Sequence, residues 1–415
     1  MRAQTKFFCI KSCKFEKFVV LLRRKLCAWM QIADKIGQIA SSQSLEMAAR
    51  AKAMKAAGVD VISMSLGEPD FDTPAHIRLA AQHAIDQGWS HYGPVAGVES
   101  LREAVAAFSN QESGIRYQPE DVVVSVGAKM AIFNAIQVAI NAGDEVIIPM
   151  PSWVSYSQMV QLAGGVVVPV QTRYEEAYCL TSEQLRAALT DKTRMVILCS
   201  PNNPTGSIYS RAQLDALIEV LRDYPNVVIL SDEIYNSLSY EGKALSMSEY
   251  AEIADRLVVI NGVSKAYAMT GYRIGWMVCK DFEFVSAFVR LQGQQLTCAT
   301  MVAQAAAEAA LRGPQECVER MREAFAKRRE LICRLAAEIP GWRFRKPQGA
   351  FYLFPDVSAF GGGDAVAERL LEEAHVAVVS GSAFGCPECI RLSYAISEEE
   401  IANAMKRIRL VIGNL

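Results

Sequence analysis

From about residue 120 the chain alternates short β-branched runs with longer segments of helical period, and nothing else in it constrains the fold as tightly. The runs cover residues 122–126, 145–149, 166–170, 195–199, 227–230 and 257–260, with helical patterns such as 130–141 and 211–222 between them. Strands joined by helical crossovers run parallel, and helices then cover both sheet faces, so each run can be apolar throughout. The expected architecture is α/β, a doubly wound, mostly parallel sheet. Residues 274–279 follow 257–260 too closely for a helical crossover and predict an antiparallel seventh strand.

After about residue 312 the pattern changes to a charged helix over 315–338, strands near 350–354, 376–379 and 390–394, and a final helix from Glu398. This is the pattern of a smaller α+β domain. A chain of 415 residues exceeds what one core usually serves. The expected division is a large domain over 75–312, a small C-terminal domain over 313–415, and a segment over 30–74, with a helix at 45–57, that packs on the small domain. Residues 1–29 form a basic extension with one acid, Glu16, and only 18–22 as an apolar block. That block is too short for a secretory signal, so the extension reads as an organellar leader or a mis-assigned start and stands outside the fold.

Charge narrows the partners. Lys plus Arg number 43 against 45 Asp plus Glu, a net charge of -2 that offers no basic field for nucleic acid. No apolar stretch is long enough to span a bilayer, so no membrane partner is expected. The 11 cysteines are odd in number and scattered, as in a reduced, cytoplasmic protein. Import into an organelle is the alternative that the basic extension leaves open.

Ligands of a doubly wound sheet bind beyond the carboxyl ends of its strands. Here those ends carry chemistry. The first run is followed by Gly127, Ala128 and Lys129 at a helix start, where backbone N–H groups and the helix dipole can hold an anion such as phosphate. Residues 200–206 form a proline-rich turn that presents Asn202 and Asn203, and residues 231–235 bring Asp232 and Tyr235. The next strand end brings Ser264 and Lys265, with Arg273 eight residues later. Taken singly, each has a bland reading: a tight turn, a helix-capping Asp, a solvated lysine. Together they suit a phosphorylated aldehyde cofactor, because a desolvated lysine can condense with a carbonyl while an aspartate keeps a pyridine ring protonated as an electron sink.

These strings, with residues 65–71, Tyr92, Gly93, Pro94, Gly97, residues 101–104 and residues 390–394, resemble the class I and II aminotransferases, pyridoxal-phosphate enzymes of fold type I, over about residues 30–415. The resemblance is nearest to the bacterial aspartate aminotransferases of that family. It implies a PLP-dependent transferase fold in which Lys265 carries the cofactor, Asp232 faces the pyridine nitrogen, and Asn203 with Tyr235 faces the phenolic oxygen. It further implies that Trp153 stacks on the ring, that Arg273 and the backbone amides of Gly127, Ala128 and Lys129 bind the phosphate, that Ser264 also contacts the cofactor, and that Tyr92 reaches the phosphate from the neighbouring subunit of a homodimer. Arg391 would take the substrate α-carboxylate, with Gly67 in a mobile loop beside it.

By the same resemblance Lys129, with hydroxyls from residues 42–44, would contact the distal carboxylate of a dicarboxylic amino acid. A cation at a helix N-terminus fits best when an anion accompanies it. The implied reaction transfers the amino group between L-aspartate and 2-oxoglutarate. Alternatives are an arogenate-forming prephenate transaminase and a β-lyase of the same fold. Cys386 and Cys389 have redox or zinc-like spacing, but one pair lacks the further ligands of a metal site and reads as a loop. The four histidines are too dispersed for a metal motif, and no dinucleotide fingerprint occurs.

Overall fold

The computed structural model describes residues 32–37 and 39–413; the basic extension over 1–29 lies outside the described residues. Residues Ser41–Leu415 group into one compact unit, which carries every element discussed below. In chain order its strands are β1 Ile62–Ser63, β2 Val122–Ser125, β3 Glu145–Met150, β4 Val166–Gln171, β5 Thr193–Cys199, β6 Val228–Asp232, β7 Leu257–Gly262, β8 Gly275–Val278, β9 Tyr352–Leu353, β10 Val376–Ala377, β11 Val379–Ser380 and β12 Ile390–Ser393.

Seven of them form one sheet in the order β2-β8-β7-β6-β5-β3-β4. Pairing is parallel except around β8, which runs antiparallel to both β2 and β7, as the short connection before it requires. Alternate side chains feed separate cores on the two faces. Val122, Val124, Val196, Leu198, Ile229 and Val259 join one cluster, while Val123, Met195, Ile197, Leu230, Val258 and Ile260 join the other. Burial on both faces explains the unbroken apolar runs. The edge strand β4 is the most exposed and tolerates Pro169, whose missing N–H would break a central ladder.

A three-stranded sheet, β11-β12-β9, lies in the C-terminal part, backed by helices α4 Glu316–Ala336 and α5 Glu398–Ile412 through Phe325, Leu353, Leu392, Ile401 and Ile408. Helix α5 opens on a capping box between Ser397 and Glu400. The run expected as one strand over 376–379 is split because its halves have different partners. β10 pairs parallel with β1, whereas β11 pairs antiparallel with β12. The N-terminal helix α1 Gln43–Ala56 packs beside this region, with Ala51 against Leu371 and Ala377. Among the described residues no helix is long and apolar enough to cross a membrane.

Candidate active site

The carboxyl ends of β2, β3, β5, β6 and β7 and the start of antiparallel β8 meet at one edge of the sheet. A cavity of about 390 Å³ opens there, lined by Ala128, Lys129, Trp153, Asn203, Asp232, Tyr235, Ser264, Lys265, Arg273 and Arg391, and also by Gly67, Ser42 and Ser44. Of the residues expected from sequence, Gly127 adjoins this group through Arg273, while Tyr92 stands apart from it, 88% exposed. A larger cavity of about 890 Å³ opens near Glu233, Asn236 and Arg322 and is lined by none of the expected residues.

Helix Ala128–Ala139, α2, begins immediately after β2 and Gly127. Gly127 adopts φ +80°, and a Cβ there would sit 2.5 Å from the Arg273 guanidinium, so only glycine permits the approach. Its own N–H donates to Ser125 O at 2.8 Å. The amides left without partners within the helix are therefore those of Ala128 and Lys129, and Arg273 lies beside them. Together they form an anion cradle at the positive end of the helix.

Asp232 ends β6 at 4% exposure. The helix-cap reading does not apply: one carboxylate oxygen accepts Tyr156 Oη at 2.6 Å and the other accepts Ile234 N at 3.2 Å. Burial pushes its pKa up, while those two donors and the nearby Lys265 pull it down. A buried carboxylate in this state favours a cation against it.

Lys265 sits in the single helical turn Val263–Ala266, α3, after β7. It keeps some exposure to the cavity, yet desolvation lowers its ammonium to about 8, with Arg273 and Arg391 adding repulsion and Glu68 and Asp232 opposing it. Its Nζ donates to Gly67 O at 2.5 Å. Trp153 and Tyr156 meet edge to face at 5.3 Å, and the Lys129 ammonium, lowered by partial burial and by Arg273, lies 4.9 Å from the Trp153 ring centre.

Arg391, on β12, is 3% exposed. It donates to Asn203 Oδ1 at 2.9 Å and Ser65 O at 2.6 Å, and its guanidinium lies over Tyr352 at 4.5 Å and Phe384 at 4.9 Å. Its Nε has no hydrogen-bond partner. Among the described residues no carboxylate pairs with it.

Two residues of this site escaped the sequence reading. Tyr156 holds Asp232, and its signal was the i,i+3 spacing from Trp153 at a helix start. Tyr352 shares a hydrogen bond of 2.7 Å with Tyr235 Oη and stacks on Arg391. It reaches the site because β9 pairs with β12, Tyr352 against Ser393, a register that no local motif announces.

The sequence profile described as aminotransferase class I and II matches residues 59–408. The chain is 43% identical to the aspartate aminotransferase of Bacillus sp. (strain YM-2), over 91% of this chain and 98% of that protein. It is 42% identical to the aspartate/prephenate aminotransferase of Cereibacter sphaeroides, over 92% and 99%. Its fold is similar to that of the Rhizobium meliloti aspartate aminotransferase, with a TM-score of 0.89 at 39% identity over 92% of this chain and 99% of that one. It is similar too to the Thermus thermophilus aspartate aminotransferase solved with maleate, with a TM-score of 0.88 at 39% identity over 92% and 100%. A buried cation, a buried carboxylate and an anion cradle at one sheet edge thus occur within a sequence matched along most of its length, and the chain belongs to the family of class I and II aminotransferases.

Proposed function

We propose that the protein transfers the amino group between L-aspartate and 2-oxoglutarate, giving oxaloacetate and L-glutamate, in two half-reactions that use pyridoxal 5'-phosphate. The observation that carries this reading is Arg391, a buried guanidinium with no carboxylate partner among the described residues and one orphaned N–H, lining the same cavity as Lys265 and Asp232. An unpaired buried charge is costly, and a substrate α-carboxylate would relieve it in a planar, two-point contact.

The donor set fits the cofactor. Asp232, held in the buried state described above, matches a protonated pyridine nitrogen; the Ala128 and Lys129 amides with Ser264 and Arg273 match a phosphate; Trp153 offers a ring face. Asn203 has its carbonyl oxygen engaged by Arg391, which leaves its NH₂ to donate, together with Tyr235, to a phenolic oxygen. When bound, pyridoxal phosphate supplies an aldehyde that amines add to and a ring that accepts the electron pair released at the substrate Cα. Arg391 orients the amino acid by its carboxylate, and Lys265 Nζ, ionising near neutrality, removes the Cα proton and gives it up again later in the same half-reaction. Gly67 O, bonded to that amine, keeps it aimed into the cavity.

Lys129 and the hydroxyls of Ser42 and Ser44 line the same cavity and suit a second carboxylate. The Thermus thermophilus relative was solved with maleate, a dicarboxylate, which supports this. The aspartate/prephenate relatives support a second reading, in which prephenate, also a dicarboxylate, is an acceptor. Substrate that bridges Arg391 in 313–415 and Lys129 in 75–312 would draw the two parts together as domains. We further propose a cytoplasmic homodimer in which Tyr92 completes the partner's phosphate site.

Holoenzyme offered aspartate, glutamate, phenylalanine, alanine and, with glutamate, prephenate as acceptor is expected to show the cofactor's absorbance change fastest with the two dicarboxylates. A fastest response to phenylalanine would overturn the dicarboxylate reading, and no response to any donor would overturn transamination itself.

A further inference from the structure

The turn from Cys386 to Cys389 has no role in the chemistry above, yet it leads directly into the strand that carries Arg391, which lines the cavity. The two sulfurs lie 3.4 Å apart, Cys386 at 5% and Cys389 at 0% exposure, in an apolar cluster with Tyr178, Phe354 and Phe384. Cys389 N donates to Cys386 O at 3.1 Å. That bond closes a four-residue turn and holds the two α carbons within the span that a disulfide bridges. The turn is also pinned from outside, by Gly363 N to Pro387 O at 2.7 Å, Val357 N to Glu388 O at 2.8 Å and Gly381 N to Cys389 O at 2.7 Å. Sulfurs already in contact on a pinned backbone can join by side-chain rotation, without the chain movement that prevents most cysteine pairs from bonding. Among the described residues no further His, Cys, Asp or Glu gathers with them as a metal set.

Both ends of this turn reach Arg391. On one side Cys389 leads directly into β12, whose second residue is Arg391. On the other, Phe384 precedes Cys386 by two residues, lies over the Arg391 guanidinium, and accepts Ser152 N at 3.1 Å beside Trp153. The two thiols share one apolar cluster with Phe384, so the side-chain rotation that joins them repacks the ring lying over that guanidinium.

We propose that Cys386 and Cys389 form a reversible dithiol–disulfide site, oxidised by hydroperoxides, whose closure loosens the stack of Phe384 on Arg391 and weakens its grip on a carboxylate substrate. Cys386, the more exposed residue of the two, attacks the peroxide through its sulfur, becoming a sulfenic acid as one water leaves. The Cys389 sulfur then displaces the hydroxyl, which departs with the remaining thiol proton as a second water. Two thiols and one hydrogen peroxide thus give one disulfide and two waters, the two electrons passing from sulfur to peroxide oxygen. The hydrogen bond to Cys389 and burial push the Cys386 thiol up, so oxidation proceeds through brief openings of the turn and quickens with pH. The substrate consequence rests on the role proposed above for Arg391; the disulfide itself does not.

The test treats the holoenzyme with hydrogen peroxide, alkylates the remaining thiols after denaturation, and weighs the peptide that contains both cysteines. That peptide is expected unalkylated and lighter by two hydrogens, reverting to the doubly alkylated form when dithiothreitol is added first. With the pair closed, KM for aspartate should rise about threefold at nearly constant kcat, and dithiothreitol should restore it. Cys386→Ala and Cys389→Ala should each abolish the peroxide effect on KM; if either folds poorly, oxidised and reduced unaltered chain still make the comparison. A peptide that keeps both thiols under peroxide overturns the proposal, and so does a closed pair with KM unmoved. Should aspartate not be turned over at all, the proposed function has failed, while the peptide mass still decides whether the disulfide site exists.

Discussion

Lys265 and Arg391 are cations facing one cavity, and they diverge because only one can shed its proton. Arg391 is lowered by burial but a guanidinium remains charged at any physiological pH. Lys265, brought to about 8, is appreciably neutral near pH 7.5 and can act as a nucleophile and base. Capture of pyridoxal phosphate by the apoprotein requires the neutral amine, so its rate should climb roughly tenfold per pH unit below about 8 and flatten above. Stopped-flow absorbance checks this, and an inflection above pH 10, where an ordinary lysine titrates, would remove the desolvation argument. Lys265→Ala should lower transamination by roughly 10³-fold or more, measured as steady-state oxaloacetate formation. Glu233, next to Asp232 but turned toward the other cavity, behaves oppositely. Burial raises its carboxyl to about 7, although Ser231, Ser246, Asn236 and the Met247 amide all donate to it. The folded chain then holds a proton that the unfolded chain releases near pH 4.5, so the group's contribution to stability is complete below that pH and is lost as pH rises through 7. Glutamine cannot ionise, and its NH₂ can meet the orphaned Asn236 Oδ1 once that amide turns over. Glu233→Gln should therefore be nearly neutral at pH 5 and stabilising by up to about 3 kcal/mol at pH 8 in urea titrations; an effect independent of pH would contradict this.

Strand ends decide which of these side chains meet. Ser125 and Gly262 both pair with Gly275, the first residue of β8, and a Cβ on Gly275 would collide with the Ala128 amide nitrogen at the head of α2. Gly275 is thus required by the close passage of β8 beneath the anion cradle. Gly275→Ala should push the helix start away, destabilise the fold by about 1–3 kcal/mol, and raise the dissociation constant of pyridoxal phosphate; equilibrium dialysis with intact affinity would show the cradle insensitive to that contact. The sheet was readable from the sequence because strands buried on both faces are continuous apolar runs, and the antiparallel β8 because its connection is short. Lys129, Asp232 and Lys265 were readable because strand-end positions in such a sheet converge whatever the connections between them, whereas Arg391, on β12 of the smaller sheet, was legible only through the family resemblance. Tyr352 was not, since its place depends on the pairing of β9 with β12, nor was the split of 376–380 between two partner strands. The contact between Cys386 and Cys389 depends likewise on how the turn folds, which spacing alone leaves open.

Tyr92 belongs to the cavity only if a second copy supplies it. In the single chain it is 88% exposed, so truncating it removes no packing and should leave the stability of that chain within about ±0.5 kcal/mol. A homodimer with shared sites makes a sharper demand. In a dimer formed from one Tyr92→Ala chain and one Lys265→Ala chain, the site built on the first chain has its own Lys265 and receives an intact Tyr92 from its neighbour, while the other site carries both defects. Random re-association of equal amounts makes half of the dimers hybrid, each with one sound site, so mixing the two impaired variants should restore roughly a quarter of wild-type activity. Activity on mixing that equals only the average of the two separate variants would mean that each chain completes its own site. Tyr92 would then be an ordinary surface residue, and the cofactor's phosphate would depend on the α2 cradle and Arg273 alone.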